Sequence, residues 1–194
     1  MNFLAHLHIA EHSDSSSLGN LLGDFVKGRP QGQFPERIVR GIQLHRFVDS
    51  YTDHHPLIKE IKPLFTGESR RFAGIALDMF WDHCLATHWH QFSSQPLEAF
   101  CLRAQSKVLE EQDALTLPER FIDVTQHMWR GRWLQSYQEL DNIEFALQRM
   151  STRSPRMGKL SACTPILRQH YHTLNKTFLS LYPDVLSAAK QQAI

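Results

Sequence analysis

The chain has 194 residues, which is enough for one domain with a sizeable buried core. Lysine and arginine total 21 against 20 acidic residues, so the net charge gives no sign of a nucleic-acid or membrane partner. The amino-terminal segment lacks the basic region and unbroken apolar core of a secretory signal, and no apolar stretch is long enough for a membrane span. The three cysteines, Cys84, Cys101 and Cys163, form no paired motif, which favours a reducing, cytoplasmic location.

Helical spacing of apolar residues recurs along the chain and alternating strand patterns are absent, which predicts an all-α protein. The first predicted helix follows the serine-rich cap at 14–17 and ends near Gly28, and the second runs from about Glu36 to Tyr51. Further helices are predicted near residues 70–88, 96–112, 118–133, 134–150 and 165–181, with a basic, Pro-containing connection at 151–158. We expect these helices to form a single compact domain over residues 1–194.

The helix predicted at 36–51 turns polar halfway along its inward face. Ile38, Ile42, His45 and Asp49 fall at helical spacing on one stripe, so the carboxylate of Asp49 shares a face with core residues. A buried carboxylate is costly unless it is paired, hydrogen-bonded or bound to a cation. His45 and Asp49 are therefore predicted metal ligands, with an internal hydrogen-bonded pair as the alternative. Asp24, at the end of the preceding helix, is a third candidate and is otherwise a partly solvated carboxylate.

The helix predicted at 70–88 is apolar on nearly every side, and its few interruptions are acidic residues and histidines. Asp78 and Asp82 lie one turn apart on the same face, where two carboxylates repel each other unless a cation sits between them. The alternative is a buried ion pair with Arg46 or Arg71. His83 follows Asp82 directly, and it is a ligand, a proton-transfer group or an ordinary buried histidine.

These side chains together predict a metal-dependent hydrolase of phosphate esters. A mixed set of carboxylates and imidazoles suits manganese, magnesium or iron, and such an ion polarises a phosphoryl oxygen and activates water. The predicted metal ligands are Asp24, His45, Asp49 and Asp78; Asp78, Asp82 and His83 are the predicted catalytic residues. Six further histidines fall in pairs that are close in sequence, and we predict that they are surface or ordinary core residues. They are His6, His8, His54, His55, His88 and His90.

Several motifs stand in order along the chain. They are Met1 to His8, Gly19 to Gly28, Gly41 to Arg46 with Asp49 and Thr52-Asp53, Leu77 to His83, and then Trp129, Trp133 and Arg153 to Arg156. Together these motifs resemble the acyl carrier protein phosphodiesterase family over nearly the whole chain. The resemblance implies hydrolysis of the phosphodiester that joins 4′-phosphopantetheine to a serine of holo-acyl carrier protein, with manganese preferred, and a place in fatty acid and lipid metabolism.

That family looks like a divergent relative of the HD-domain phosphohydrolases, which are helical and use a His-Asp pair with a further His and Asp. This resemblance implies an HD-domain-like architecture for the chain. No histidine here is followed directly by aspartate, and the nearest pairs, Asp53-His54 and Asp82-His83, are reversed. The identity of the side chain at each ligand position is therefore open.

The second half of the chain carries a local excess of positive charge. Residues 120–170 contain eight Arg or Lys against four Asp or Glu, and Arg149, Arg153 and Arg156 lie close together in sequence. Acyl carrier proteins are acidic, so we predict that these arginines bind the protein substrate, and that Arg46 contacts its phosphate. The alternatives are a solvated basic loop and, for Arg46, a partner for a buried aspartate.

Two other functions remain open from the residues alone. One is hydrolysis of a nucleotide or another small phosphoester by a protein of the same helical type. The other is a non-catalytic helical protein that binds an acidic partner through its basic segment, with the internal Asp and His groups forming a structural network.

Overall fold

The computed structural model describes residues 1–113, 115–153 and 155–192, and over these residues it contains helices and turns but no β-strand. The predicted all-α class is therefore confirmed. None of the helices in the described part of the chain is long and apolar enough to cross a bilayer. The helices are α1 Phe3–His12, α2 Ser17–Leu22, α3 Glu36–His54, α4 Pro56–Ile61, α5 Ala73–Thr87, α6 Trp89–Phe92, α7 Leu97–Glu111, α8 Glu119–Arg130, α9 Trp133–Ser136, α10 Leu140–Arg153, α11 Thr164–Gln169 and α12 Tyr171–Gln192.

Most predicted helices are present, with shifted ends. Short 3₁₀ turns cover Lys62–Leu64, Gly67–Phe72, Pro155–Met157 and Leu160–Cys163. The helix predicted at 134–150 is divided in two, because α9 ends at Ser136 and a turn over residues 137–139 precedes α10, which starts at Leu140. The predicted connection at 151–158 begins inside α10, and its residue 154 lies outside the described residues.

Helix α1 was not predicted, and it is held in place by a carboxylate from another helix. Its cap residue, Asn2, makes no capping hydrogen bond with its side chain. Instead, both oxygens of Asp82 accept backbone N–H groups at the start of α1, from Leu4 at 2.8 Å and Ala5 at 3.0 Å. A carboxylate at a helix amino terminus satisfies unpaired donors and interacts favourably with the helix dipole. Asp82 thereby fixes the start of α1 against α5.

Helices α2 and α3 pack at very short range through two glycines. A Cβ atom added to Gly19 would lie 2.5 Å from the Ile38 carbonyl oxygen and 2.9 Å from the Gly41 Cα, so neither glycine has room for a side chain. The hydroxyl of Ser16 accepts a hydrogen bond from the Gly19 N–H and caps α2. This contact sets the end of α2 beside the middle of α3.

Helix α5 runs through the centre of the molecule and is buried on most of its surface. It packs against α1, α10, α11 and α12, and side chains such as Phe80 and Trp81 are completely buried. The buried apolar residues form one continuous cluster that extends from α1 to α12. An aspartate or histidine on α5 can therefore reach solvent only where the helices packed on α5 leave a gap. A polar site that involves α5 must lie at such a gap.

Candidate functional site

The side chains of four helical segments meet where the end of α2 and the start of α1 contact the middle of α3 and of α5. His45 Nε2 lies 3.1 Å from Asp49 Oδ2 and 3.4 Å from Asp24 Oδ1. His6 Nε2 lies 3.1 Å from Asp49 Oδ1. The Met1 amino group joins Asp49 to Asp78. We call this group the carboxylate-histidine cluster, and its members are the Met1 amino group, His6, Asp24, His45, Asp49 and Asp78.

The structure thus brings together all four predicted metal ligands and adds His6 and the Met1 amino group. The amino group lies 2.5 Å from Asp78 Oδ1 and 3.3 Å from Asp49 Oδ1, and Met1 itself is buried. A positive group therefore already bridges the two carboxylates. Met1 and His6 both belong to the opening motif that carries the family resemblance, and this motif is the signal in the sequence for this end of the site.

The imidazole of His45 is fixed from both sides. Its Nδ1 donates a hydrogen bond to the Asn20 carbonyl oxygen at 2.7 Å, which directs Nε2 toward the carboxylates. The ring occupies the space where Gly23 has no side chain, since a Cβ atom there would lie 2.2 Å from the ring. The His6 ring stacks on the opposite side, with 3.7 Å between ring centroids. Gly23 and Asn20 are therefore supporting residues of the cluster.

The two stacked imidazoles differ in protonation. Burial, followed by the charge of His45, lowers the pKa of His6 to about 4. Burial also opposes the charged form of His45, but hydrogen bonds to Asp24 and Asp49 raise its pKa to about 9. The pKa of Asp49 is held well below its usual range, because His6, His45 and the Met1 amino group outweigh the effect of burial. At neutral pH one ring is neutral and the other is charged.

Asp78 and the Met1 amino group form a charged pair at the same place. Burial works against the charge of the amino group, yet the nearby Asp78 and Asp49 raise its pKa to about 11. Burial raises the pKa of Asp78, and the amino group partly offsets this. The Asp78 side chain is nevertheless 39 % exposed, and that of Asp49 is 37 % exposed. The Asp24 side chain is 50 % exposed, so a ligand in solution can reach all three carboxylates of the cluster.

Asp82 and His83, the other predicted catalytic residues, lie deeper. Asp82 is completely buried, and burial raises its pKa to about 7 although the N–H groups of Ala5 and Leu4 counteract this. His83 Nδ1 donates to the Tyr137 carbonyl oxygen at 2.8 Å, and its Nε2 accepts from the Tyr171 hydroxyl at 2.9 Å. The structure therefore uses Asp82 to hold α1 and does not bring His83 into the cluster; their catalytic roles remain predictions.

The predicted substrate-binding arginines also have other neighbours. Arg46 donates to the carbonyl oxygens of Gly28 at 2.8 Å and Val26 at 2.5 Å, and so fastens the loop that follows Asp24. The Arg149 guanidinium lies 5.7 Å from the centre of the Phe145 ring. Arg153 and Arg156 are exposed. Among the described residues, no hydrogen bond or ion pair joins Arg149 or Arg153 to the carboxylate-histidine cluster.

The cluster offers the donor atoms that a divalent cation requires. His6, His45 and Asp49 each present one ligand atom, and these atoms lie within 4.8 Å of one another. Because the carboxylate of Asp49 only accepts, the His6 Nε2 carries the proton, and its buried Nδ1 is an unprotonated nitrogen with no hydrogen-bond partner among the described residues. Mixed imidazole and carboxylate donors of this kind suit manganese, iron or zinc. The residues present therefore fit a metal ion.

Several known proteins that are similar to the chain carry the same description. The family model described as acyl carrier protein phosphodiesterase matches residues 1–185. Proteins named acyl carrier protein phosphodiesterase are 45 % identical in Pectobacterium atrosepticum and 44 % identical in Yersinia pestis, each over 195 residues. One from Escherichia coli is 40 % identical over 195 residues. In all three the alignment covers the whole of both chains. No solved structure matches the chain.

Proposed function

The chain belongs to the acyl carrier protein phosphodiesterase family, and from this premise we propose that it releases 4′-phosphopantetheine from holo-acyl carrier protein. The bond broken is the phosphodiester between the phosphate of the arm and a serine of the protein substrate. Water supplies the oxygen that phosphorus gains, and the serine oxygen takes up a proton. The apo-protein and free 4′-phosphopantetheine are the products.

The observation that carries this proposal is the stacked pair of histidines against Asp49, beside partly exposed carboxylates. We propose that His6, His45 and Asp49 hold a divalent cation, preferably manganese, with magnesium or iron as substitutes, and that Asp24 and Asp78 complete the site. When bound, such an ion supplies charge stabilisation at the phosphoryl oxygens and a more acidic water. Asp24 and Asp78 come from different segments, so the site depends on the folded chain.

Two further groups of the cluster have separate tasks: Asp78 accepts a proton, and the Met1 amino group orients Asp78. Asp78 has a raised pKa and an exposed oxygen, so it suits acceptance of the proton that the attacking water loses. The Met1 amino group holds Asp78 in one orientation through the 2.5 Å contact. Asp82 is a positioning residue, because it fixes the start of α1 and thereby the positions of Met1 and His6.

We also propose an HD-domain-like arrangement in which the His-Asp dipeptide is replaced. In this chain His45 and Asp49 lie one turn apart on α3, and a helix places such residues side by side. His45 and Asp49 are thus close in space, as the two residues of a His-Asp dipeptide are, although they are not adjacent in the sequence.

Mass measurement of the substrate tests the proposed function. The purified protein with manganese should lower the mass of holo-acyl carrier protein by that of the 4′-phosphopantetheine group. Removal of the metal with a chelator should stop the reaction. Metal analysis should give a stoichiometric ion that His45→Gln loses. Hydrolysis of nucleotides without any mass change in holo-acyl carrier protein would contradict the proposal.

A further inference from the structure

An open groove of about 700 Å³ lies beside the carboxylate-histidine cluster. Asp53, one helical turn beyond Asp49 on α3, lines it, and so does Gly74, one turn before Asp78 on α5. A helical turn advances by about 5.4 Å, so the groove begins close to both carboxylates. We call it the basic groove; its lining residues that matter here are Lys59, Lys62, Phe65, Arg70, Arg71 and Ala73.

Positive charge predominates in the basic groove. Lys59, Lys62, Arg70 and Arg71 face Asp53 as the sole acidic residue of the lining. Lys62 pairs with Asp53 at 3.0 Å, and the Arg71 guanidinium lies 4.9 Å from the centre of the Phe72 ring. Over the residues that the structure describes, neither Lys59 nor Arg70 forms an ion pair, and both are exposed. These cations are therefore available to a partner.

The floor of the basic groove is apolar. Phe65 is 1 % exposed and Ala73 is 4 % exposed, and Pro63 adds a further apolar wall. The turn that carries the arginines starts at Gly67, whose φ of 56° favours glycine, and the Ser69 hydroxyl closes it by donating to the Thr66 carbonyl oxygen. An apolar centre within a charged rim is the usual composition of a surface that binds another protein.

We propose that the basic groove docks a carboxylate-bearing face of the protein substrate, and so delivers its serine phosphodiester to the carboxylate-histidine cluster. The inference rests on the proposed function. The four cations lie on two separate segments, α4 with its 3₁₀ extension and the Gly67–Phe72 turn. One phosphate needs a convergent group of donors, whereas cations spread along a rim match several carboxylates.

This location differs from the docking surface predicted around Arg149, Arg153 and Arg156. Arg149 stacks on Phe145, and Lys159 pairs with Glu68 at 3.2 Å. The basic groove, by contrast, is lined by Asp53 and Gly74, each one helical turn from a carboxylate of the cluster. Charge and proximity to the reacting group coincide there.

A charge-reversal pair tests the docking. The test variant is Lys59→Glu with Arg70→Glu, and the matched control is Lys176→Glu with Lys190→Glu, which changes the charge equally at exposed positions outside the groove. The test variant should raise KM for holo-acyl carrier protein about tenfold or more, with kcat unchanged and a weaker dependence on salt. Hydrolysis of the small diester bis(p-nitrophenyl) phosphate should stay unchanged. The control should retain the KM of the unsubstituted protein.

Binding of apo-acyl carrier protein, followed by fluorescence anisotropy, separates docking from catalysis. The test variant should bind it about tenfold more weakly than the control. If the unsubstituted protein binds apo-acyl carrier protein through these cations but releases no 4′-phosphopantetheine, the docking stands and the proposed function fails. An unchanged KM and Kd in the test variant overturns the docking, as does an equal loss with the small diester. Circular dichroism confirms that each variant is folded.

Discussion

Two groups of polar side chains draw members from the same helices, α1 and α5, and they differ in how their hydrogen-bonding atoms are satisfied. The carboxylate-histidine cluster takes His6 from α1 and Asp78 from α5. A second group, which we call the histidine-tyrosine cluster, takes His8 from α1 and His83 from α5; its other members are Tyr137, Tyr171 and Tyr182. Both groups interrupt helices that are otherwise apolar.

Every ring nitrogen in the histidine-tyrosine cluster has a partner. His8 Nδ1 accepts from the Tyr182 hydroxyl at 2.8 Å and its Nε2 donates to the Phe92 carbonyl oxygen at 3.3 Å. His83 is satisfied in the same way by Tyr137 and Tyr171. In the carboxylate-histidine cluster, His6 Nδ1 has no partner within the part of the chain that the structure describes, and the carboxylates reach solvent. A candidate site is distinguished from a structural network by polar atoms that lack hydrogen-bond partners and by access to solvent. Burial of a polar residue alone does not separate the two.

Asp49→Asn, in the carboxylate-histidine cluster, should have the largest effect on kcat of the substitutions that compare the two clusters. The substitution keeps the shape of the side chain but removes the charge that contacts both histidines and the Met1 amino group. We expect kcat for release of 4′-phosphopantetheine to fall about 10³-fold, beyond the roughly 10- to 100-fold loss typical of a residue that only supports a ligand. The mass assay under saturating manganese measures this.

His83→Gln is the matched control in the other cluster. Its loss of hydrogen bonds to Tyr137 and Tyr171 should lower the free energy of unfolding by about 1–3 kcal/mol, with kcat within a few-fold of the unsubstituted protein. If His83→Gln abolished turnover in folded protein while Asp49→Asn did not, the assignment of the two clusters would be reversed.

Gly23→Ala tests the cluster without removing any of its functional groups. The new Cβ atom would lie 2.2 Å from the His45 ring, so the imidazole must move. A displacement near 1 Å costs about 100-fold in rate when the group belongs to the reacting site. We therefore expect a loss of about that size in kcat, together with weaker manganese binding by titration calorimetry. Gly74→Ala is the control, since a Cβ atom there meets no atom within 4 Å.

Asp82→Asn tests whether α1 links the start of the chain to the site. An asparagine replaces one of the two accepting oxygens with an NH₂ group, so the N–H group of Leu4 or of Ala5 would face a donor instead of an acceptor. The free energy of unfolding should fall by about 2 kcal/mol in urea denaturation. Activity should fall as well, because Met1 and His6 lie on the segment that is released. Unchanged stability would show that α1 does not depend on this carboxylate.

The sequence predicted much of the fold because apolar spacing and proline positions are local signals. Helix α7, predicted at 96–112, is observed at Leu97–Glu111. Helix α1 escaped prediction because seven of its ten residues are buried, which removes the amphipathic pattern, and because its cap comes from Asp82, far away in sequence. Helix α12 continues past the predicted end at 181 through Pro183 to Gln192.

The site was predictable where its members share one helix. His45 and Asp49 lie one turn apart on α3, and their spacing identified them together. His6 was set aside as an ordinary histidine, because its approach to Asp49 depends on the packing of α1 against α3. His83 shows the converse, since its spacing on α5 suggested a role near Asp82 while the partners that satisfy it come from residues 137 and 171. Long-range contacts of this kind leave no periodic signal in the sequence.

His8 gives the smallest expected effect, in the pH dependence of stability. Burial lowers its pKa to about 4 in the folded protein, against about 6.5 in an unfolded chain. Between these values the unfolded chain binds a proton that the folded protein does not, so this contribution to stability is complete above pH 6.5 and declines as the pH falls. Urea denaturation should show that the unsubstituted protein loses about 1 kcal/mol more than His8→Gln between pH 7.5 and pH 5.5. Other titrating groups are common to both proteins and cancel in the difference, so parallel pH profiles would mean that the pKa of His8 is the same in the folded protein and in the unfolded chain.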